Sequence, residues 1–284
     1  MAAGTLFVVA TPIGNLGDLT ARAESVLRAV SLIAVEDSRR TAPLLSSLGV
    51  RTPLLPYHEH NAEARTPQLL ERLLAGEDVA LVSDAGTPLI ADPGYRLVRE
   101  AREAGVLVTP VPGPSAVMAA LSVAGLATDV FTFHGFLPPK AMARRRALEA
   151  LATAEGTLVF FEAPHRIEAA LEDGVSAFGS SREAYLGREL TKRFESHYRG
   201  TLGTLLDAVR TEALPARGEF VWVVAGAPAA AGADLALGED QVLRELLKEL
   251  PPARAARVAA ALLGKGKRQL YERALVLGGE TPSP

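Results

Sequence analysis

The fold of this chain is set by Val79-Ala-Leu-Val-Ser-Asp-Ala-Gly-Thr-Pro-Leu-Ile-Ala-Asp-Pro-Gly94. The apolar, β-branched start of this segment predicts a strand, which breaks into a Gly/Pro-rich loop before a helical pattern begins at Tyr95. A second predicted strand, Val106–Val108, leads to the tight turn Pro112-Gly-Pro-Ser115, which another helical pattern follows. Loops at the carboxyl ends of neighbouring strands form the ligand crevice of an open α/β sheet. The two turns therefore predict one shared crevice for a nucleotide-like cofactor.

The composition of the chain excludes several classes of protein. Its 284 residues include no cysteine, which excludes disulfides, thiolate metal sites and a cysteine nucleophile. No apolar run approaches the roughly 20 residues of a membrane-spanning helix, and no basic segment precedes Leu6–Ala10 as in a signal peptide. We therefore expect a cytoplasmic protein without a membrane partner. The net charge of -3 argues against bulk electrostatic binding of nucleic acid but allows a local basic patch.

Strand and helix patterns alternate before the second turn, which predicts an N-terminal α/β domain at residues 1–113 with a mostly parallel sheet. Its predicted strands are Leu6–Ala10, Leu32–Val35, Val79–Val82 and Val106–Val108. Its predicted helices are Leu19–Val30, a helix that ends at Leu48, Gln68–Leu74 and Tyr95–Ala104.

Residues 114–227 predict a second, mixed α/β domain, and residues 236–284 predict a small helical extension after the linker Ala227–Asp234. The predicted strands of the second domain are Val130–Gly135, Thr157–Glu162, Glu183–Gly187 and Phe220–Ala225. Its predicted helices are Ser115–Ala124, Arg144–Thr153, Ile167–Phe178 and Thr201–Glu212. The predicted helices of the extension are Glu239–Leu250, Ala253–Leu263 and Lys267–Leu277.

Two acids and two bases follow the second predicted strand, in Glu36-Asp-Ser-Arg-Arg40. At this position charged side chains lie at the carboxyl edge of the sheet, where ligands bind. Glu36, Asp37 and Arg39 are therefore the candidate catalytic residues. The structural alternative is that Asp37 or Ser38 caps the next helix while the arginines are solvated.

Hydrogen-bonding side chains are concentrated in the loop Tyr57-His-Glu-His-Asn61. Within it, His58 and Asn61 are candidates for contact with a substrate, and the alternative is a purely structural loop. The His-x-His spacing has no evident third ligand, so we predict no metal site.

Charged residues also follow two predicted strands of the second domain, in Phe160-Phe-Glu-Ala-Pro-His-Arg166 and Gly187-Arg-Glu-Leu-Thr-Lys-Arg-Phe-Glu195. One interpretation is that both runs face the crevice between the domains. The other is an Arg–Glu ion-pair network that braces the domain interface.

Positive charges are concentrated in two places on this slightly acidic chain. Such clusters indicate contact with a phosphate backbone, although an ordinary solvated face is the alternative. The candidate contacts are Lys140, Arg144 and Arg145 in the second domain and Lys267 and Arg268 in the extension.

Six motifs carry a resemblance: Ala10-Thr-Pro-Ile-Gly-Asn-Leu-Gly-Asp-Leu-Thr20, Glu36-Asp-Ser-Arg39, Ser83–Gly94, Pro112-Gly-Pro-Ser115, Phe160–Arg166 and Gly187–Lys192. Together they resemble the tetrapyrrole-methylase-like family of S-adenosylmethionine-dependent methyltransferases, and within it the type that modifies ribosomal RNA of the small subunit. The resemblance covers essentially the full length. The chain departs from that pattern at Ser38, where threonine is usual, and at Ala62, where glutamate is usual.

The resemblance implies two α/β domains with S-adenosylmethionine in the cleft between them, followed by a helix-turn-helix-like extension. It implies a homodimer that methylates the ribose 2′-hydroxyl of a cytidine in 16S ribosomal RNA, with the small ribosomal subunit as its partner. A DNA copy of the site lacks that hydroxyl and would be no substrate. The residues it assigns to the cofactor are Pro12, Asp84, Ala85, Gly86, Thr87, Leu89, Ile90, Ser115, Ala116, Phe161, Glu162 and Ala163.

A ribose hydroxyl is a poor nucleophile, so a general base should assist its attack. Glu36 or Asp37, with Arg39 orienting an RNA phosphate, is the first choice, and His58 with Asn61 is the second. Three other functions stay open: a methyltransferase of the same fold for a small, tetrapyrrole-type molecule, a non-catalytic RNA-binding module, and a dehydrogenase. The basic helices disfavour the first, and the lack of a G-x-G-x-x-G turn disfavours the last.

Overall fold

The computed structural model describes residues 2–228 and 239–278. The chain divides after Ala227 into two units. The first unit contains two five-stranded sheets, and the described part of the second contains helices. Most of the predicted linker Ala227–Asp234, the start of the predicted extension at 236–238 and residues 279–284 lie outside the described residues.

The first sheet has the strand order β3-β2-β4-β1-β5, and all four of its pairings are parallel. The sequence predicted a mostly parallel sheet here, and that prediction is confirmed. The elements are β1 (Thr5–Val9), α1 (Ala21–Ala29), β2 (Leu32–Val35), α2 (Ser38–Ser47), β3 (Leu54–Pro56), α3 (Ala62–Leu74), β4 (Val79–Val82), α4 (Tyr95–Glu103) and β5 (Leu107–Val111).

Strand β4 shows why helices cover both faces of this sheet. All four of its residues are buried, as in parallel strands that lie between two helix layers. Val79 and Leu81 pack in the core that holds residues of α3 and α4, whereas Ala80 and Val82 pack in the core that holds residues of α1 and α2. Successive side chains of a strand point to opposite faces, so one apolar run serves two cores.

The second sheet has the strand order β6-β7-β10-β8-β9 and mixes one parallel pairing, β6 with β7, with three antiparallel ones. The sequence predicted strands and helices here without specifying how the strands pair. The elements are α5 (Ala116–Ala124), β6 (Phe131–Phe136), α6 (Ala141–Glu149), β7 (Thr157–Glu162), α7 (Ile167–Phe178), β8 (Glu183–Arg188), β9 (Ser196–Thr201), α8 (Leu202–Arg210) and β10 (Phe220–Val224).

The two faces of the second sheet are covered differently. Phe160 and Trp222 lie on the face that packs on α7 and α8, with ring centroids 5.2 Å apart. Val159 and Val223 lie on the opposite face, where α5 is the helix in the same core. Phe161 is only partly buried on that second face, which is the face that turns towards the first sheet.

Two strands escaped the sequence patterns, and two helix starts were misplaced, of which the smaller displacement is that of α6, which begins at Ala141, three residues before its predicted start. β3 has only three residues and ends in proline, and β9 consists mostly of polar residues. Both are edge strands, where a buried apolar run is not needed. Helix α3 begins at Ala62, six residues before the predicted start, and continues through Pro67 at the loss of one backbone hydrogen bond.

The described part of the second unit has the helices α9 (Glu239–Leu247), α10 (Pro252–Leu263) and α11 (Lys267–Leu277). They share a small core that includes Leu243, Ala256 and Leu270. A three-residue turn, with Gly264 in the left-handed conformation, joins α10 to α11, as in helix-turn-helix units. Throughout residues 2–228 and 239–278, every helix is too short or too polar to span a bilayer.

Candidate active site

A cavity of about 390 Å³ lies between the two sheets of the first unit, and a cavity of this size accommodates a small-molecule ligand. Strand ends and the loops after them supply its walls. The first-sheet side is formed by Ile13, Glu36, Arg40, Asp84, Ala85, Gly86, Thr87, Ile90, Ala91 and Asp92. The other side is formed by Ser115, Ala116, Phe136, Phe161, Glu162, Ala163, Pro164, Glu219, Phe220 and Val221.

The loops after β4 and β5 meet at this cavity, as their sequences predicted. Gly86 exchanges two backbone hydrogen bonds, of 2.9 and 3.0 Å, with Thr11 in the loop after β1. The Thr87 hydroxyl donates to the carbonyl oxygen of Pro114 at 3.0 Å. The loop after β4 is therefore held from two sides, and both turns border one crevice.

The backbone of the loop after β4 is shaped for close approach. Gly86 has a φ of +83°, and a Cβ at this position would lie 3.2 Å from Cγ2 of Ile13. Leu89 and Ala91 have φ values of 73° and 65°, in the left-handed region that residues with side chains rarely adopt. Strain of this kind persists where the surroundings over-determine the backbone, and it is concentrated at functional sites.

Glu36, directly after β2, is the predicted catalytic residue that lines the cavity. Its carboxylate accepts the backbone N–H of Asp84 at 3.5 Å. Burial, and after it the charge of Asp84, raises the pKa of Glu36. Asp84 accepts the N–H of Asp37 at 3.0 Å and lies 3.4 Å from Nε of Arg40. The carboxyl edge of the first sheet thus brings two acids and one base together.

Asp37 and Arg39, the other two predicted catalytic residues, do not line the cavity. Asp37 caps α2 by accepting the N–H of Arg39 at 2.9 Å, and it pairs with the Arg39 guanidinium at 2.7 Å. The Arg39 hydrogen bonds lower the pKa of Asp37 to about 2. The Arg39 side chain is 88% exposed. This pair fits the structural alternative, in which Asp37 caps α2 and Arg39 is solvated. Arg40, and not Arg39, borders the cavity.

Asp92 completes the acidic wall, although it was not among the predicted site residues. Burial raises the pKa of Asp92 to about 6, and the charges of Glu36 and Asp84 act in the same direction. In the described part of the chain, no group of three or more His, Asp or Glu side chains is arranged to hold a metal ion. The carboxylates of Glu36, Asp84 and Asp92 therefore repel one another at this wall, with Arg40 beside them.

All but two of the residues that the resemblance assigned to the cofactor line the cavity. Leu89 is the first exception, because it packs against the core under α3 and α4 rather than facing the cavity. Pro12 is the second, because it lines an adjoining cavity of about 210 Å³ that shares Arg40 and Asp84 with the first.

The charged strand ends of the second sheet form ion pairs. Glu162 is the buried last residue of β7 and lies 3.2 Å from Nε of Arg166. In the turn after β8, Nζ of Lys192 lies 3.0 Å from Glu189 and 2.9 Å from Glu219. These ion pairs lie within residues 114–227, and Glu162 also borders the cavity.

The predicted basic surface of the second domain needs a correction. Arg144 is 8% exposed and its Nε lies 2.6 Å from Asp173, which is 2% exposed. Arg145 contacts the other oxygen of the same carboxylate at 2.7 Å. A buried carboxylate needs such partners, so Arg144 is held in a buried ion pair rather than exposed on a basic surface. Lys140 is exposed at the start of α6.

His58 and Asn61 organise their own loop and line neither cavity. The Asn61 side chain accepts the N–H of His58 at 2.9 Å and donates to the carbonyl oxygen of Pro56 at 3.1 Å. His58 lies close enough to Glu36 for its charge to favour the ionised carboxylate. In the second unit, Lys267 and Arg268 are exposed at the start of α11.

Several residues of the cavity wall were missed by sequence reasoning. A signal existed for two of them, because Asp92 lies inside the Gly/Pro-rich loop after β4 and Arg40 follows the chosen Arg39. No pattern could select others such as Ile13, Phe136 and Glu219, since their positions depend on how the sheets meet.

Comparison with known proteins agrees with this geometry. Residues 5–206 match the family of tetrapyrrole (corrin/porphyrin) methylases, and residues 233–278 match the RsmI C-terminal HTH domain. The chain is 52% identical to the ribosomal RNA small subunit methyltransferase I of Xylella fastidiosa strain Temecula1, over 94% of this chain and 98% of that protein. It is 49% identical to the protein of that name from Pseudomonas aeruginosa, over 99% and 100%.

Solved structures share the fold of the first unit. Uroporphyrin-III C-methyltransferase from Thermus thermophilus, complexed with S-adenyl homocysteine, has a TM-score of 0.54 at 19% identity, over 78% of this chain and 97% of that one. Diphthine synthase has a TM-score of 0.59 at 16% identity, over 78% and 89%. The sequence relatives and the fold lead to one conclusion: the chain belongs to the tetrapyrrole methylase family of S-adenosylmethionine-dependent methyltransferases, in the branch of the ribosomal RNA small subunit methyltransferases I.

Proposed function

We propose that this protein methylates the ribose 2′-hydroxyl of a cytidine in 16S ribosomal RNA, with S-adenosylmethionine as the methyl donor. The relatives are named for methylation of small-subunit ribosomal RNA. The proposal is carried by the cavity between the sheets, whose wall contains Glu36, Asp84 and Asp92 beside apolar side chains. Such a wall suits both a cationic cofactor and a reaction that releases a proton.

The residues of the cavity fit S-adenosylmethionine. Ile13, Ile90 and Phe161 offer apolar surface to an adenine ring, and the carboxylates attract the positive sulfonium and ammonium groups. Gly86 keeps the backbone of its loop free of a side chain at the cavity wall. Asp84 to Thr87 with Ile90, Ser115 with Ala116, and Phe161 to Ala163 would hold the cofactor. When bound, it supplies an activated methyl group for in-line displacement.

The chain's own part in the chemistry is to align the acceptor, exclude water and take up its proton. We assign the proton to the carboxylates of Glu36 and Asp92, which line the cavity and whose pKa values are raised by burial. A raised pKa makes a carboxylate a stronger base near neutral pH. Asp84, hydrogen-bonded to the backbone of Asp37 and paired with Arg40, is better suited to positioning.

RNA affinity is proposed to come from exposed basic side chains. Lys267 and Arg268 lie at the start of α11, the second helix of the helix-turn-helix, and Lys140 lies at the start of α6. Each phosphate contact contributes to the salt dependence of binding. Replacing Lys267 and Arg268 with glutamate should therefore weaken binding of the small subunit and flatten its dependence on salt. Binding of S-adenosylmethionine, measured by calorimetry, should be unchanged.

We further propose that residues 1–113 and 114–227 act as two domains around the cofactor, with residues 236–284 as the RNA-binding extension. We also propose that the protein is cytoplasmic, because its proposed substrate is the small ribosomal subunit. The resemblance to the family further suggests a homodimer. Met118 and Val123 on α5 are each 53% exposed and offer apolar surface for a second copy. Light scattering after size exclusion should report the dimer mass.

The decisive experiment incubates the protein with small ribosomal subunits and S-adenosylmethionine that carries a labelled methyl group. We expect one labelled nucleotide in 16S ribosomal RNA, a cytidine. Its label should stay on the ribose when the cytosine is removed, and the methyl group should block alkaline cleavage of the RNA chain at this position. Label on the base, or none on the RNA despite cofactor binding, would contradict the proposal. Label on a tetrapyrrole-type acceptor in a parallel incubation, with none on the RNA, would instead identify a small-molecule methyltransferase.

A further inference from the structure

Phe136 is a large aromatic residue in an unusual place. It ends the edge strand β6, borders the cavity between the sheets, and is 57% exposed. Burying a phenylalanine side chain is worth about 1.5–3 kcal/mol, so more than half of this side chain forgoes that stabilisation. Its position calls for a physical reason.

An irregularity in β6 sets the direction of Phe136. Phe133 pairs with Val159 of β7, but the next registered pair is Phe136 with Phe161. The chain advances three residues along β6 where it advances two along β7, so β6 contains one extra residue, a β-bulge. Gly135 within it has a φ of 64°, a left-handed value that glycine adopts without a steric penalty. Bulges of this kind re-aim a side chain and are frequent next to active sites.

The bulge moves Phe136 to the cavity side of the sheet. His134 stacks on Phe160 at 5.3 Å, on the face covered by α7 and α8. In a regular strand Phe136 would share that face with His134, because side chains alternate. Instead, Phe133 and Phe136 both pack against Phe161, with ring centroids at 4.8 and 5.6 Å. The ring of Phe136 is thus braced by one aromatic neighbour and open to solvent at the cavity.

We propose that Phe136 is the platform on which the base of the target nucleotide stacks, an inference that rests on the proposed function. Single-stranded RNA is recognised mainly by stacking its unpaired bases on aromatic side chains. The methyl acceptor is a ribose, so its base must lie within a few ångströms of the cavity and needs a surface that tolerates solvent. Phe136 offers such a surface, because Phe161 holds it while more than half of its area stays accessible.

Steady-state kinetics on small subunits tests this role. Phe136→Leu keeps the apolar volume but loses the ring, and we expect it to raise KM for the subunit about 10-fold, as for loss of a stacked base. Phe136→Tyr keeps the ring and should stay within about twofold of wild type, because every aromatic face supports stacking. The Kd for S-adenosylmethionine should be equal in all three proteins. Phe194→Leu is the matched control, since Phe194 is 65% exposed but lines neither cavity.

Three kinetic results would overturn the proposal: an unchanged KM in Phe136→Leu, an equal rise in Phe136→Tyr, or a loss of cofactor affinity that matches the rise in KM. The last would make Phe136 part of the cofactor pocket. A rise in KM of the same size in Phe194→Leu would also overturn it, because the effect would then be general.

A fluorescence measurement separates this inference from the proposed function. The chain has one tryptophan, Trp222, and it is fully buried, so Phe136→Trp adds the solvent-accessible reporter. Titration with a cytidine-rich oligoribonucleotide, with binding followed in parallel by anisotropy, should quench the new emission whether or not methyl transfer occurs. Quenching, together with a wild-type protein that does not methylate small subunits, would support the platform and count against the proposed reaction. Bound RNA without quenching would overturn the platform alone.

Discussion

The two sheets present similar sets of charges to the cavity but use them differently. At the ends of the second sheet, Glu162 lies 3.2 Å from Arg166, and Lys192 lies between Glu189 and Glu219. At the edge of the first sheet, burial and neighbouring carboxylates raise the pKa values of Glu36 and Asp92, and neither is in an ion pair with a described residue.

The difference shows how surroundings govern the behaviour of a carboxylate. A nearby cation favours the charged form and makes the group a structural partner, whereas burial beside other acids favours the neutral form and suits a proton acceptor. The pKa of Glu162 is still raised, because burial outweighs the backbone N–H of Ala163 and the charge of Arg166, which both act in the opposite direction. From the sequence motifs alone, the charged residues at both edges were equally good candidates for function. Neutralising the carboxylates of the first edge should therefore lower activity, whereas breaking a buried ion pair of the second domain should lower stability.

The largest effect is expected from neutralising the first edge. Glu36→Gln and Asp92→Asn together should lower kcat for methylation of small subunits about 100- to 10,000-fold, the usual contribution of a general base. The protein should stay folded and bind subunits. Glu189→Gln, in the ion-paired edge, is the control and should remain within about threefold of wild type. Near-normal turnover of the double variant would remove the carboxylates from the mechanism.

The next largest effect is a loss of stability from the paired carboxylate Asp173. Asp173→Asn leaves the buried Arg144 without its counter-charge and should lower the free energy of unfolding by about 3–5 kcal/mol. The neighbouring Glu172 pairs with Arg210 at 3.1 Å, but both side chains are about half exposed. Glu172→Gln should therefore cost about 1 kcal/mol or less. Equal losses in denaturant titrations would show that burial does not distinguish these pairs.

A smaller effect, of opposite sign, is expected at Asp92. Its pKa in the folded protein is about 6, whereas the ordinary value of an aspartate is 3.8. Below about pH 3.5 the carboxyl is mostly neutral in both states, so stability should fall as the pH rises from about 3.5 to about 6 and stay lower above that. Asp92→Asn lacks this penalty, so it should be more stable than wild type by about 1–2 kcal/mol at about pH 8, after allowance for partial exposure.

At about pH 3.5, below both pKa values of Asp92, wild type and Asp92→Asn should be equally stable. Denaturant titrations at the two pH values make this comparison. A gain in stability that is the same at both would show that ionisation of Asp92 is not its cause.

The smallest effect is expected from the exposed pair beside the first edge. Asp37→Asn retains a helix cap, and Arg39→Ala removes a side chain that is 88% exposed. Each should leave kcat and KM within about threefold of wild type, in the assay used for Glu36. A loss of about 100-fold in either variant, as expected for a general base, would restore Asp37 and Arg39 as catalytic residues and make Glu36 the weaker candidate.

Sequence patterns anticipated most of the fold because the local signals were strong. The apolar runs of β2 and β4 and the periodicity of α7 and α11 matched the structure residue by residue. They failed at β3 and β9, whose stability comes from pairing at a sheet edge rather than from an apolar run. In the site, Glu36 and the loop from Asp84 to Thr87 were predictable because strand ends and glycines mark them.

Local patterns were enough to specify the alternation of strands and helices, the meeting of two loops at one crevice, and the family of the protein. Each of these depends on periodicity or on residues adjacent in the chain. Which charges are buried, and how burial and remote neighbours change them, depended instead on packing between distant segments. Arg144 is structural because Asp173 lies beside it, and the pKa of Asp92 is raised because the fold buries it near Glu36 and Asp84. Electrostatic energies depend on distance and burial between segments remote in sequence, and no local pattern records either.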